Sequence, residues 1–217
     1  MELLEDAGFQ VTVPNVDLCC GRPLYDYGML ERAKRWLEKI LGVLQQDIEA
    51  GTPMVVLEPS CATVFRHELT ELFPQNQNAR RLSKQTFTLA ELFEERAKDY
   101  QLPRLNRRVL LHGHCHHKAV LNFESEKKLL GKMELKIDLP DSGCCGMAGA
   151  FGFEKDHYDV SIACGERVLL PAVRQASKET LIIADGFSCR EQIRQSTERV
   201  AFHTAQVLKM AIEQSSV

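Results

Sequence analysis

The sequence lacks the features of a membrane-spanning, secreted or nucleic-acid-binding protein. No apolar run approaches the roughly 20 residues that a membrane-spanning helix needs. The acidic start MELLEDAGFQ fits neither a secretory signal nor a transit peptide. Basic residues are not in excess, since 27 Lys and Arg against 30 Asp and Glu give a net charge of −3, so the charge pattern indicates no nucleic-acid partner. A cytoplasmic location is therefore expected.

Two further absences concern the cysteines. Eight cysteines in 217 residues are too few for a small disulfide scaffold, and a chain of this length can build its own core without covalent cross-links. No C-x-x-C occurs, which excludes the common zinc-ribbon spacings. In a reducing cytosol such cysteines are more often metal ligands or catalytic thiols than disulfide partners.

The unusual feature that is present is the tripeptide Cys-Cys-Gly, which occurs at 19–21 and again at 144–146. Its surroundings repeat as well, because GFQVTVPNVDLCCG aligns with MELKIDLPDSGCCG and PMVVLEPSCATVFR aligns with TLIIADGFSCREQI. Further on, TFTLAELFEERA aligns with AFHTAQVLKMAI. An internal duplication therefore divides the chain into residues 1–103 and 104–217. The strand RRVLLHGHCHH that opens the second half has no counterpart in the first, so the first repeat is expected to be truncated at its start.

Each half alternates between predicted strands and predicted helices, which is typical of the α/β class. Short runs rich in Val, Ile and Leu predict strands at Phe9–Val13, Met54–Leu57, Val109–His112, Leu135–Leu139 and Leu181–Ala184. Helical periodicity predicts helices at Met29–Gln46, Ala62–Phe73, Thr88–Lys98, His116–Lys132, Asp156–Gln175 and Thr204–Glu213. An apolar stripe on the first of these helices is expected to face the core, namely Leu30, Ala33, Leu37, Ile40, Leu41 and Leu44. Each half is thus expected to be a small, mostly parallel sheet flanked by helices.

Four cysteines of the second half lie at or just after the ends of predicted strands: Cys115, Cys144, Cys145 and Cys189. Ligand sites of open α/β sheets form at the carboxyl ends of the strands, so these thiolates are expected to converge. Four thiolates suit an iron–sulfur cluster or tetrahedral zinc. The first half offers three cysteines, one short of such a set: Cys19, Cys20 and Cys61.

Other polar residues near these positions have ordinary structural interpretations. Cys164 lies within a predicted helix and is interpreted as a small buried residue rather than a ligand. The histidines around Cys115 either hydrogen-bond the backbone or, in at least one case, ligate a metal or donate to a cluster sulfur: His112, His114, His116 and His117. Two carboxylates shortly before the last cysteine of each half, Glu58 and Asp185, are predicted to cap the helices that follow.

The repeated motif resembles the cysteine-rich CCG domain found in heterodisulfide reductase and in the glycolate oxidase iron–sulfur subunit. The stretches CCGRPLYDYGML, LEPSCATVFR, HGHCHHKAV and GCCGMAGAFGFEKDHYDVS are most similar to the C-terminal iron–sulfur part of FAD-linked oxidases. The resemblance covers essentially the whole chain. It implies a [4Fe-4S] cluster and an FAD on another domain or a partner subunit. The chain departs from the heterodisulfide reductase pattern, whose last ligands form a C-x-x-C, because Val64 and Gln192 stand three positions after Cys61 and Cys189.

The resemblance therefore implies an iron–sulfur electron-transfer module of a flavin-dependent 2-hydroxyacid dehydrogenase of the lactate or glycolate type. Such a module holds no catalytic residue of its own, and it would contact a membrane only through a partner. Two alternatives stay open. The vicinal cysteines, or their cluster, would act directly in thiol–disulfide chemistry, which requires an accessible thiolate of depressed pKa. Alternatively, zinc in a closed tetrahedral site would make the chain a structural module.

Overall fold

Two small parallel sheets organise the fold, one in each predicted half. The computed structural model describes residues 1–215, so the last two residues of the predicted second half lie outside the described residues. The strands are β1 (Met54–Val55), β2 (Thr86–Phe87), β3 (Arg108–Leu111), β4 (Lys136–Asp138), β5 (Leu181–Ile183) and β6 (Ala201–Phe202). β1 pairs with β2, and the second sheet has the order β4-β3-β5-β6. Every strand pair of residues 1–215 is parallel, which confirms the predicted fold class.

The helices flank these sheets. Those of the first half are α1 (Glu2–Asp6), α2 (Arg22–Asp26), α3 (Leu30–Val43), α4 (Gln45–Ala50), α5 (Pro59–Thr63), α6 (Leu69–Leu72), α7 (Gln77–Gln85) and α8 (Leu89–Arg96). A π-helical turn, Val64–Glu68, joins α5 to α6. Those of the second half are α9 (Cys115–Ala119), α10 (Phe123–Lys132), α11 (Tyr158–Glu166), α12 (Leu169–Gln175), α13 (Phe187–Ser196) and α14 (Thr204–Ser215).

The duplication is visible in how the last helix of each half begins. The Thr88 hydroxyl accepts a hydrogen bond from the amide of Glu91 at 3.3 Å, and the Glu91 carboxylate accepts one from the amide of Thr88 at 2.8 Å. This capping box satisfies two amides that the first turn of α8 leaves free. At the start of α14, the side chain of Gln206 likewise accepts from the amide of His203 at 2.8 Å. The aligned segments therefore share local structure as well as sequence.

The core does not follow the predicted boundary between the halves. α1 packs against α14, and α8 packs against α10, so each half contributes helices that lie on the other. One continuous cluster of buried side chains joins them, including Leu3, Phe93, Leu130 and Val207. The division at 103/104 consequently stays a prediction about sequence repeats, because the folded halves share one hydrophobic core.

The apolar stripe of α3 packs largely as predicted. Four of its residues are buried, namely Ala33, Leu37, Ile40 and Leu41. The last three form a core cluster with Val64 and Leu82. Leu44 is half-buried, and Leu30 is exposed because it lies at the first position of the helix, beyond the reach of the cluster.

One predicted strand, Phe9–Val13, is wrong, since this segment has neither helical nor strand structure. Its aligned counterpart β4 is a strand because it pairs with β3. The described part of the first half holds no counterpart of β3. The backbone groups of 9–13 therefore have no neighbouring strand with which to form a ladder.

Four helices predicted as continuous are each divided in the structure: Met29–Gln46, Ala62–Phe73, His116–Lys132 and Asp156–Gln175. In the last of these, Pro171 has no amide to donate to the carbonyl of Arg167. The helix therefore ends near Glu166 and restarts at Leu169, which places the proline in a first turn. Thr88–Lys98 and Thr204–Glu213 agree with α8 and α14 to within two residues.

Among residues 1–215, no helix is both long enough and apolar enough to cross a lipid bilayer. This agrees with the absence of long apolar runs in the sequence.

Candidate metal centre

The four second-half cysteines come together at the carboxyl end of the larger sheet. Cys144 and Cys145 lie in the loop after β4, Cys115 is the first residue of α9, and Cys189 lies in the first turn of α13. Each thiol shifts the pKa of the next in the order 115, 144, 145 and 189, so the four sulfurs lie in succession beside one another. The structure thus places the four predicted residues in one group, and their role as ligands stays a prediction.

Two of these four sulfurs are favoured as thiolates by their neighbours. Contact with the thiol of Cys115, followed by that with Cys145, lowers the pKa of Cys144 far below its usual range. Contact with Cys145 likewise lowers the pKa of Cys189. The same contacts raise the pKa values of Cys115 and Cys145. Within the group, sulfurs of lowered pKa therefore lie beside sulfurs of raised pKa, and the thiolate is the form in which cysteine binds iron or zinc.

The backbone of the Cys-Cys-Gly loop also supports sulfur ligands. The amide of Gly146 donates to the sulfur of Cys144 at 3.3 Å, the kind of contact that tunes metal-bound thiolates. Gly146 has φ +100°, and a Cβ at this position would lie 1.9 Å from the carbonyl oxygen of Ser161. Only glycine fits there. Four thiols with an amide donor are, in residue type, the donor set of an iron–sulfur cluster or a zinc ion. No three of these sulfurs lie within 4.8 Å of one another among the described residues, so their spacing fits the wider iron–sulfur cluster better than a single zinc ion.

One histidine supports this group directly. His112 is buried, its Nδ1 lies 2.8 Å from the hydroxyl of Ser142, and its Nε2 has no nitrogen or oxygen partner among the described residues. The His112 ring is among the causes that lower the pKa of Cys189, after the contact with Cys145. His114 also lowers the pKa of Cys189, but of the four histidines His112 has the larger effect on this sulfur.

The other three histidines have structural partners. Nδ1 of His114 accepts from the amide of His116 at 3.2 Å and thereby caps α9. Nε2 of His116 lies 3.3 Å from the guanidinium of Arg22. His117 is buried, and its Nδ1 lies 2.9 Å from the carboxylate of Glu126. Burial lowers the pKa of His117, but the carboxylate outweighs this effect, so the pKa is raised. The predicted hydrogen bond to the backbone is therefore confirmed for His114, whereas His116 and His117 lie beside side chains.

A supporting residue that the sequence did not identify is Gln192. Its side-chain amide is buried and donates to the carbonyl oxygens of Cys145 and Ser161, at 3.1 Å and 3.2 Å. These bonds fix the Cys-Cys-Gly loop against α11 and α13. The one available signal was its position three residues after Cys189, where the C-x-x-C pattern has sulfur.

The first-half cysteines form a smaller group. The sulfurs of Cys20 and Cys61 lie 2.8 Å apart, and Cys19 beside them is exposed. Their contact lowers the pKa of Cys20 and raises that of Cys61. This group consists of one close pair and an exposed neighbour, so within the described chain it is less complete than the second-half group.

The two cysteine groups face each other across the junction between the halves. α5, which carries Cys61, packs beside α9, which carries Cys115. Glu58 links the halves, because its carboxylate accepts from the amide of Ser60 at 3.3 Å and from the amide of Phe187 at 2.7 Å. Its predicted role as the cap of the following helix is therefore confirmed.

The predictions for two other residues need correction. Asp185 does not cap α13, because its carboxylate accepts from the amide of Thr204 at 2.8 Å, at the start of α14. It points there since β5 and β6 are adjacent, which brings the start of α14 beside the end of β5. Cys164 lies in α11 as expected but is half-buried rather than buried.

Two parallel sheets whose carboxyl ends carry paired cysteines define a cysteine-rich type of α/β domain. A comparison with family models identifies it more closely: residues 1–66 and 109–194 match the model of the CCG cysteine-rich domain. The chain belongs to this family. The two matched segments correspond to the two halves of the internal repeat.

Curated relatives align with most of the chain. One subunit of the anaerobic glycerol-3-phosphate dehydrogenase of Escherichia coli (strain K12) is 26% identical over 221 residues, which covers 98% of this chain and 54% of that protein. Lactate utilization protein A of Bacillus subtilis is 29% identical over 195 residues, covering 85% and 78%. D-2-hydroxyglutarate dehydrogenase of Pseudomonas putida is 25% identical over 190 residues, covering 87% and 18%. The chain thus spans about half of the first relative and a smaller part of the last.

Proposed function

We propose that the chain is the iron–sulfur electron-transfer module of a flavin-dependent 2-hydroxyacid dehydrogenase of the lactate or glycolate type. The observation that carries the proposal is the convergence of four thiols in the second half. The names of two relatives, which refer to lactate utilisation and to D-2-hydroxyglutarate, support a hydroxyacid as the source of electrons. A lack of any dinucleotide-binding fingerprint in the sequence supports an FAD on a partner domain or subunit.

The proposed cofactor is a [4Fe-4S] cluster held by Cys115, Cys144, Cys145 and Cys189. Such a cluster takes up and releases electrons, at a potential set by hydrogen bonds to its sulfurs and by solvent exposure. The residues of the chain set both conditions. Cys145 and Cys189 are buried, which keeps water from that side of the site, and the amide of Gly146 donates to a ligand sulfur. Gln192 holds the loop in place.

The first-half cysteines Cys19, Cys20 and Cys61 are proposed as a second, smaller cofactor-binding group. On this proposal the chain moves electrons but does not oxidise substrate by itself. The isolated chain should therefore show no oxidation of lactate or glycolate with an artificial electron acceptor, and it should accept electrons from the flavin of a dehydrogenase partner.

The experiment that tests the cofactor is a determination of iron, acid-labile sulfide and zinc per chain after purification without oxygen, with EPR before and after dithionite. About four iron and four sulfide per chain, with a signal on reduction, is the expected result. Stoichiometric zinc without iron would contradict the proposal and assign a structural role. Cys144→Ala and Cys189→Ala should lose the metal, whereas the matched control Cys164→Ala should retain it. Full iron and sulfide in both of the first two variants would refute the ligand assignment.

A further inference from the structure

A second group of polar side chains is buried outside the cysteine centre, where four elements of the second half meet. His117 lies in α9, Glu126 in α10, Asp185 shortly after β5, and Thr204 at the first residue of α14. One ligand atom from each of His117, Glu126 and Asp185 lies within 4.8 Å of the other two. The group therefore lies at the carboxyl end of the larger sheet, where open α/β sheets form ligand sites.

The side chain of His117 is 1% exposed and has no aligned hydrogen-bond partner. Its Nδ1 lies 2.9 Å from a carboxylate oxygen of Glu126, but the two groups are not aligned as donor and acceptor, and Nε2 also lacks a partner among residues 1–215. Buried polar groups are usually hydrogen-bonded. The distance of 2.9 Å instead matches two neighbouring ligands of a six-coordinate ion, which lie about 3 Å apart when each bond is about 2.1 Å long.

The two carboxylates of this group, on Glu126 and Asp185, have no lysine or arginine to neutralise them. Their ion-pair partners among residues 1–215 are both histidines. Arg190 directs its guanidinium to the backbone carbonyls of Ala184 and Asp185 instead of to a carboxylate. The Glu126 side chain is 2% exposed and that of Asp185 is 11% exposed. Burial of a charge is costly unless it is paired, so the group is short of positive charge.

His203, the histidine beside Asp185, is held in its neutral form. A carbonyl oxygen only accepts hydrogen bonds, so Nε2 donates to the carbonyl of Leu57 at 2.9 Å. An amide only donates, so Nδ1 accepts from the amide of Ala205 at 2.9 Å. The nitrogen that lies 3.5 Å from Asp185 therefore carries no proton. Even a protonated His117 would leave one negative charge uncompensated, whereas a divalent cation beside a neutral His117 balances both carboxylates.

Thr204 holds both carboxylates in position. Its hydroxyl donates to Oε1 of Glu126 at 2.9 Å, and its amide donates to Oδ1 of Asp185 at 2.8 Å. These bonds leave Oε2 of Glu126 facing the imidazole of His117. Carboxylates that bind metal ions are commonly oriented by such hydrogen bonds from neighbouring groups.

We propose that His117, Glu126 and Asp185 bind a divalent transition-metal cation. One imidazole nitrogen with two carboxylate oxygens suits Zn²⁺, Mn²⁺ or Fe²⁺, whereas Mg²⁺ and Ca²⁺ favour oxygen ligands throughout. The ion would enter beside Asp185, the most exposed of the three ligands. Once bound, it would join α9, which begins at Cys115, to α10 and to the end of β5. The site uses no cysteine, so the proposal does not depend on the proposed electron-transfer function.

Titration of the 217-residue chain with Mn²⁺ tests the site, because thiolates select softer metals than Mn²⁺. The EPR signal of free Mn²⁺ measures binding, and one saturable site per chain is the expected result. Pulsed EPR of the bound ion should show coupling to an imidazole nitrogen, and this coupling should vanish in His117→Gln. Saturation should also raise Tm, since the ion binds the folded chain and not the unfolded one.

Substitutions that remove charge but keep the size of the side chain locate the ion. Asp185→Asn and Glu126→Gln should each weaken Mn²⁺ binding by about tenfold or more. Glu124→Gln is the matched control, because this exposed carboxylate lies in the same helix and pairs with Lys127, and its loss should leave the affinity unchanged. Where Glu126→Gln fails to fold, Asp185→Asn carries the test, since it replaces a partly exposed side chain.

The proposal is overturned by any of three results. The first is the absence of saturable binding at about 1 mM Mn²⁺, which would leave the group as a hydrogen-bonded network. The second is an unchanged affinity in Asp185→Asn, which would place the ion elsewhere. The third is loss of Mn²⁺ in Cys144→Ala together with its retention in Asp185→Asn, which would assign the ion to the cysteines. Iron and sulfide report on the cysteine centre separately, so a failure here is distinct from a failure of the proposed function.

Discussion

Substitution of Gly146 by alanine tests whether the Cys-Cys-Gly loop is built as the structure indicates. The new Cβ would lie 1.9 Å from the carbonyl oxygen of Ser161, at least 1.5 Å short of the 3.4 Å of ordinary contact. That carbonyl cannot yield easily, because the side chain of Gln192 binds both it and the carbonyl of Cys145. The backbone φ of +100° adds strain for any residue with a Cβ.

The loss of stability expected for Gly146→Ala follows from these two effects, steric overlap and backbone strain. Overpacking costs about 1–3 kcal/mol, and a left-handed φ costs a non-glycine residue about 1–2 kcal/mol, so Gly146→Ala should lose about 2–5 kcal/mol of unfolding free energy. For a chain of this size, that lowers Tm by about 4–20 °C. Because the strain lies beside Cys145, retained metal should fall as well.

The assay is thermal unfolding together with metal analysis, and Gly131→Ala is the matched control. Gly131 lies within α10, and a Cβ there meets no atom of the described part of the chain within 4 Å. Alanine favours a helix over glycine by up to about 1 kcal/mol, so the control should keep its metal and unfold at the same or a slightly higher temperature. A Gly146→Ala protein with the Tm and metal content of the unsubstituted chain would refute the reasoning.

Three further substitutions test the contacts around the cysteines. Gln192→Leu leaves two buried carbonyls without their donor and should cost about 2–4 kcal/mol in denaturant unfolding, whereas the exposed Gln195→Leu should stay within about 0.5 kcal/mol; equal midpoints would contradict the contact. Glu58→Ala removes a helix cap and the acceptor of the Phe187 amide, with an expected loss of about 1–2 kcal/mol, and an unchanged midpoint would show that the halves are not joined there. Burial raises the pKa of Asp185 to about 6, so its contribution is fully present below about pH 3.9 and is lost as pH rises through 6. Asp185→Asn should therefore be more stable than the unsubstituted chain at pH 8, by up to about 3 kcal/mol, and identical stabilities across pH 4–8 would exclude this account.

The strands show which parts of the fold could be predicted from the sequence. β3 and β5 are near-continuous apolar runs, and such runs predict buried strands from local composition alone. β2 and β6 are only two residues long and were missed, because a pattern of period two needs more residues than that to be recognised. Phe9–Val13 has an apolar alternation but no neighbour, which shows that a strand depends on its partner as much as on its own residues.

The candidate site likewise has residues that the sequence predicted and residues that it did not. The convergence of Cys115, Cys144, Cys145 and Cys189 followed from strand ends, since parallel strands bring their carboxyl ends to one edge. The contacts of Gln192 with Cys145 and of His112 with Ser142 join residues 47 and 30 positions apart. No local pattern marks such pairs, because the first depends on how α13 packs beside the Cys-Cys-Gly loop and the second on the pairing of β3 with β4.

The reciprocal packing of helices explains how the smaller sheet persists in this chain. A two-stranded sheet alone is marginally stable in water, and within residues 1–215 β1 and β2 form a sheet of two strands. The first half compensates by placing α1 on α14 and α8 on α10, so that much of its apolar surface is buried against the second half. Glu58 adds a polar link at the same junction. A chain cut at 103/104 would expose this shared surface, so we expect neither half to fold stably without the other even though each carries its own cysteines.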